Sequence, residues 1–247
     1  MAKQTGIIRL KGTLDGINFY GKDNARVAGG GYNSNAVKTK PSMARTRENA
    51  SEFGHGSRAK KVFRMALAPF LCIRKDGTLH GRMMQLFLKL TLLDRVNSRG
   101  ERRVAQGIET PRGRQLLRDF VLSPACEVFE VLGTSGVFDF PSRSLEVADF
   151  DIKDVRFPSG ATHLALTLGL LHFDFASLDY KLNTSAPLYM DKSYAGTSFN
   201  LTVDLPEIPG TAIAVLGIKF YQEVAGTYYL FRDAKAVGVD IVGVDSP

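Results

Sequence analysis

The 247-residue chain has no tryptophan, two cysteines and four histidines. Its apolar stretches, around residues 65–73 and 212–218, fall well short of the roughly 18 residues that a membrane-spanning helix requires. Cys72 and Cys126 lie in segments of different character and have no CxxC spacing. That argues against a disulfide framework or a zinc site, and each cysteine reads as a small buried hydrophobe. The opening MAKQTGIIRL has a two-residue apolar run before Arg9, which is not a signal-peptide pattern, so a cytoplasmic location is expected. The sequons beginning at Asn49, Asn183 and Asn200 then read as coincidence.

Catalytic constellations are missing too. His55, His80, His163 and His172 include no i, i+4 pair, and no GxSxG is present. Residues 16–22, GINFYGK, match the GxxxxGK core of a phosphate-binding loop, but Asp23 stands where a magnesium-binding hydroxyl belongs. The alternation of Ile17 and Phe19 with polar residues favours a hairpin strand over an irregular loop feeding a helix. Acidic pairs such as Asp149/Asp151 and Glu127/Glu130 are ordinary solubilising carboxylates on sheet edges. No enzyme, metal, cofactor or small-molecule substrate is expected.

Charge is abundant and unevenly divided. Residues 1–120 carry a net +15 and residues 121–247 a net −8, within a total of +7. Such asymmetry points to a charged partner. A basic surface can bind nucleic acid by counterion release. Opposite charges at two ends also suit head-to-tail packing between copies, which makes open filaments when the contacts do not close. Candidates for the basic surface are Arg58, Lys60, Lys61, Arg102, Arg103, Arg112 and Arg114. Aromatics do not interleave with them as in single-strand binders. Phe53, Phe63, Phe70 and Phe87 fall instead on helical core spacing, which tilts the reading away from nucleic acid.

The periodicity predicts an α+β protein with three regions. Residues 1–40 read as a β-hairpin or meander (Ile8, Leu10, Ile17, Phe19, with a turn at Asp15-Gly16), followed by an extended polar arm over 32–41. Residues 41–122 read as a basic helical region. Gly54, Gly56 and Pro69 are its weak points, residues 79–93 its clearest amphipathic helix, and Thr110-Pro111 a capped helix start. Residues 123–247 change to a period of two and read as an antiparallel β-sandwich. Strands are expected near 128–132, 145–147, 150–152, 164–175, 188–190 and 199–205, with a hairpin at 224–226 and a last strand through Val237, Val239 and Ile241. Candidate subunit contacts are Ile8, Leu10, Phe19 and Tyr20 in the hairpin, and Arg45, Arg47, Glu48, Asn49 and Phe53 where the arm meets the helix. An intrahelical Arg–Glu pair explains the latter cluster equally well.

The opening MAKQTGIIRLKGTLDGINFY, the later ARTRENASEFG and the LGIKFYQEVAGTYYL hairpin at 216–230 resemble a family of small Bacteroidota proteins that start in nearly the same way. A cytoplasmic fibril-forming protein of gliding bacteria is grouped with that family. The resemblance carries no active-site residues and implies a self-assembling structural protein. The stretch GGGYNSNAVKTKP departs from the shorter, charged segment of the family. The expected function is therefore a homopolymeric filament or tube, with a nucleic-acid-associated or phage-type structural protein as the alternative.

Overall fold

The computed structural model describes residues 12–15, 17–20, 24–27, 34–204 and 209–245. The chain divides by its contacts into two units, residues 1–51 and 52–247. In the first unit, β1 (Gly12–Leu14), β2 (Ile17–Tyr20) and β3 (Asn24–Val27) form an antiparallel meander. Asp15 has φ of 46° at the turn that brings Leu14 opposite Ile17, as the turn signal predicts. Ile8 and Leu10 lie outside the described residues.

Over its described residues, 34–41, the arm expected over 32–41 is not extended. It contains α1 (Ser34–Thr39), followed by a 3-10 turn (Pro41–Met43) that leads into α2 (Ala44–Ala66). A side chain beyond the segment supplies the reason. The Arg47 guanidinium donates to the carbonyl oxygens of Val37 at 2.8 Å and Lys40 at 2.9 Å, which neutralises the carbonyl end of a helix too short to persist alone.

In the second unit the rest of α2 is joined by α3 (Ala68–Leu71), α4 (Leu79–Leu92), α5 (Val104–Ile108), α6 (Pro111–Arg118) and α7 (Val128–Leu132). The α2 helix runs unbroken through Gly54 and Gly56, and Pro69 sits in the first turn of α3, where it opens a helix instead of kinking one. Thr110 caps α6 as expected, its hydroxyl accepting from the Gly113 amide at 3.0 Å.

A small sheet contains β4 (Val137–Asp139), β5 (Ser144–Val147) and β9 (Phe199–Thr202). A larger antiparallel sheet is built on β6 (His163–Phe173) and β10 (Thr211–Val224), which pair from Thr211–Phe173 to Tyr221–His163. The far side of β6 pairs with β7 (Tyr180–Thr184) and β8 (Leu188–Asp191). The far side of β10 pairs with β11 (Thr227–Leu230) and β12 (Val237–Asp245). The turn between β10 and β11 places Ala225 and Gly226 both at positive φ, the conformation a two-residue hairpin needs.

The large sheet is buried on both faces. Leu164, Leu166, Leu168 and Leu170 join Leu216, Ile218 and Phe220 in a core shared with Leu145, Val147, Phe199 and Leu201 of the small sheet. Leu171, Phe173, Ile213, Val215, Val239 and Ile241 form a second core with Phe63, Leu67, Phe70, Met83, Phe87 and Leu90 of the helices. Double burial explains why residues 164–173 show no polar alternation. It also corrects the domain reading. The border expected at 122/123 is a change of layer inside one compact unit, because helices and sheet share a core.

Two expected strands are not strands. Residues 128–132 form α7, whose end is set by Gly133 at φ of 71°, a left-handed cap. Residues 150–152 are irregular; the Phe150 amide donates to the Thr197 carbonyl, and its ring packs edge-on to Phe199. Short apolar runs fit either period, and local hydrogen-bond partners decide between them.

Asp240 accepts from the Val128 amide at 2.6 Å at the start of α7. Burial pushes its carboxyl up to about 6 against the pull of the Val128 and Phe129 amides, and the charges of Glu127 and Glu130 add to the rise. The folded state therefore holds a proton that the unfolded chain has lost between about pH 4 and pH 6, so stability falls as pH rises through that window. Asp240→Asn should flatten the fall, worth roughly 2–3 kcal/mol at most. Melting temperature followed from pH 4 to pH 7 in both proteins checks it, and parallel curves would refute it.

Candidate functional site

The most strongly charged region is the helical layer, residues 52–122, with a net +9 against −8 for residues 123–247. Its cations do not form one uniform surface. Lys60 corrects the sequence reading, because it is only 4% exposed. It lies on the buried stripe of α2 with Glu52, Gly56, Ala59, Phe63 and Ala66. Its ammonium donates to the His80 ring, with Nζ 3.1 Å from Nδ1, and burial followed by the Arg64 charge lowers its pKa. Arg102 is half-buried, its Nε 3.9 Å from Glu52 Oε1, the same oxygen that accepts from the Gly100 amide at 2.7 Å. Arg114 is half-buried and donates to the Glu109 carbonyl. Arg58, Lys61, Arg103 and Arg112 are exposed.

The candidate contact residues are also spread out. Arg45 and Glu48 form an i, i+3 ion pair at 3.2 Å, the ordinary intrahelical explanation for that cluster. Arg47 serves α1, as described above, and Asn49 is exposed. Phe19 is half-buried in β2 opposite Gly12 and Ala25, while Tyr20 pairs with Asn24. Phe53, expected in the core, is 52% exposed. It follows Glu52, which holds the buried position, and one residue along a helix turns the side chain about 100° away.

One cleft gathers cations that sequence reading left scattered. A cavity of about 420 Å³ is lined by His55, Arg58 and Ala59 of α2, by Asn97 and 103–106, and by Phe175, Ala176 and Leu178 beyond β6. Burial lowers the His55 pKa, and the charges of Arg103 and then Arg58 lower it further. Among the described residues, neither guanidinium has a carboxylate partner or a side-chain hydrogen bond.

The loop that carries Asn97 and Arg103 is fixed by Asp94, which is 3% exposed. One carboxylate oxygen accepts from the Val96 and Asn97 amides at 2.8 and 3.0 Å. The other accepts from the Asn97 side chain and the Arg103 amide, both at 2.8 Å. Burial alone would raise this carboxyl, but the four donors hold it down at about 2. The sequence signal that could have located the clamp is Asp94 followed by Asn97, an Asx-type loop between two helical patterns.

A larger cavity of about 720 Å³ mixes acids and bases, with Glu127, Glu130 and Asp233 beside Arg156 and Lys235. The Cys126 thiol on its wall is pushed up to about 11 by burial, with the Asp240 charge adding to the rise. It reads as a buried hydrophobe, as expected, whereas Cys72 is exposed. At one end of the large sheet the His163 and Tyr228 rings lie 5.0 Å apart, and Tyr189 faces Tyr221 at 6.2 Å. No group of three or more His, Cys, Asp or Glu among the described residues is arranged to hold a metal ion, and none of the described helices is long and apolar enough to cross a membrane. No known protein family, curated protein or solved structure matches this chain.

Proposed function

We propose that this protein is a non-catalytic structural protein that assembles with copies of itself into a filament or tube. The observation that carries the reading is the division of charge inside one compact unit: +9 in the helical layer and −8 in the following strand-rich residues. Among the described residues, the ion pairs Arg82–Asp76 and Arg102–Glu52 both stay within the helical layer. Exposed cations such as Lys61 and Arg112 are therefore left to meet the acidic residues of a neighbouring copy, an arrangement that gives register and association rate more than raw affinity. The meander of the first unit adds a second contact. Among the described residues, β1 and β3 each pair on one side only, and Leu14 at 63% exposure leaves apolar surface uncovered. The resemblance of the opening and of residues 216–230 to a family of small Bacteroidota proteins, with which a fibril-forming protein is grouped, supports the same reading.

Light scattering and negative-stain microscopy test it. Large regular particles are expected at roughly 0.02 M salt, shrinking at roughly 0.5 M as screening shortens the reach of the charges. Lys61→Glu with Arg112→Glu should abolish them without loss of fold, both sites being exposed. A sharp monomer at low salt and high concentration would sink the proposal. The unpartnered cations also favour a second reading, a nucleic-acid-associated structural protein, which a raised 260/280 absorbance ratio in purified protein would support.

A further inference from the structure

We propose that the cleft between α2 and the loop clamped by Asp94 is a binding site for a small organic phosphate, with His55, Arg58 and Arg103 holding the phosphate oxygens. His55 and Arg58 are three residues apart on α2 and so share a face, and Arg103 joins them from the loop that Asp94 clamps. No carboxylate lines this cleft. Asp94, which clamps its loop, has both oxygens occupied by four N–H donors. Three cationic or ionisable groups thus converge with their donors unused, an arrangement that self-repulsion disfavours until an anion enters. Two arginines favour phosphate over a simple halide, since the planar guanidinium matches paired oxygens.

The rest of the cleft sets the size and character of the ligand. About 420 Å³ lies within the range of small-molecule sites and exceeds what a bare ion fills. Phe175, Leu178 and Val104 add apolar wall beside the cations, suited to an organic body attached to the phosphate. The site is also preorganised on the Arg103 side, because the Arg103 amide is tied to Asp94 at 2.8 Å. This inference is independent of self-assembly, since binding is counted per chain whether the chains are single or polymerised.

Isothermal titration with inorganic phosphate, adenosine monophosphate, adenosine and a short single-stranded oligonucleotide tests it. The expected result is one saturable site per chain for adenosine monophosphate, weaker binding of inorganic phosphate and none of adenosine. Arg58→Ala and Arg103→Ala should each weaken binding about tenfold or more. Both sites are exposed, and an unchanged melting temperature separates lost contact from lost fold. Arg112→Glu, on α6 and outside the cleft lining, should leave the affinity unchanged. Absence of saturable binding to either phosphate probe overturns the proposal. So does equal weakening by the Arg112 variant, which would mark diffuse surface charge, and so does tighter binding of the oligonucleotide, which would mark a polymer as the occupant.

Discussion

Phe70→Ala should destabilise the 52–247 unit by about 3–5 kcal/mol, the cost of emptying a fully packed aromatic site. Phe70 is 4% exposed, and its ring rests on two glycines of the large sheet. A Cβ on Gly169 would come within 2.7 Å of the ring, and one on Gly217 within 2.6 Å. Gly169 belongs to β6 and Gly217 to β10, so one side chain from the short α3 helix plugs a notch across the two longest strands. The converse change is equally informative. Gly217→Val drives a side chain into the ring and should cost about 1–3 kcal/mol by overpacking. Combining the two changes should recover part of the loss, because the new valine fills space that the ring vacated. Urea unfolding of the three variants measures the coupling. A loss below about 1 kcal/mol for Phe70→Ala would show that the helical layer does not depend on this plug.

Asp94→Ala is expected to cost about 3 kcal/mol or more, because the backbone donors of Val96, Asn97 and Arg103 lose a buried acceptor together. The same substitution should loosen the loop that presents Arg103, so phosphate binding and stability fall together, whereas Arg103→Ala affects binding alone. The pH dependence gives an independent signature. The Asp94 carboxyl sits at about 2 in the fold against 3.8 as its ordinary value, a depressed pKa. Its contribution is present above about pH 4 and is lost as pH falls toward 2, worth about 2 kcal/mol. The variant should therefore show a shallower acid limb of stability than the parent. Asp76, also held at about 2 by Thr78, Arg82 and Leu79 against the rise from burial, keeps part of the limb in both proteins. Identical acid limbs would refute the role given to Asp94.

Much of the fold is legible in local pattern. The helix at 79–92, the Thr110 cap, the hairpin at 224–227 and the long strands at 163–173 and 211–224 each carry a signal that neighbouring residues state by themselves. Misreadings fall where a distant partner decides. Residues 34–39 are helical with Arg47 on their free carbonyls, and residues 128–132 are helical with Asp240 at their first amide. Lys60 counts as surface charge by type, yet the stripe it occupies on α2 faces inward.

The cleft belongs to the same class of features. His55, Arg58 and Arg103 are unremarkable along the chain, and only the clamp on the loop and the turn after β6 bring them around one space. Composition and period alone establish the α+β class, the helical-then-strand order and the opposed charge of the two stretches, since these depend on each residue's own chemistry and its near neighbours. The tertiary structure decides that the opposed stretches share one core instead of forming separate domains, and which cations remain unpartnered. Both depend on the side-by-side burial of residues more than a hundred positions apart, such as Phe63 against Phe173, which no local window contains.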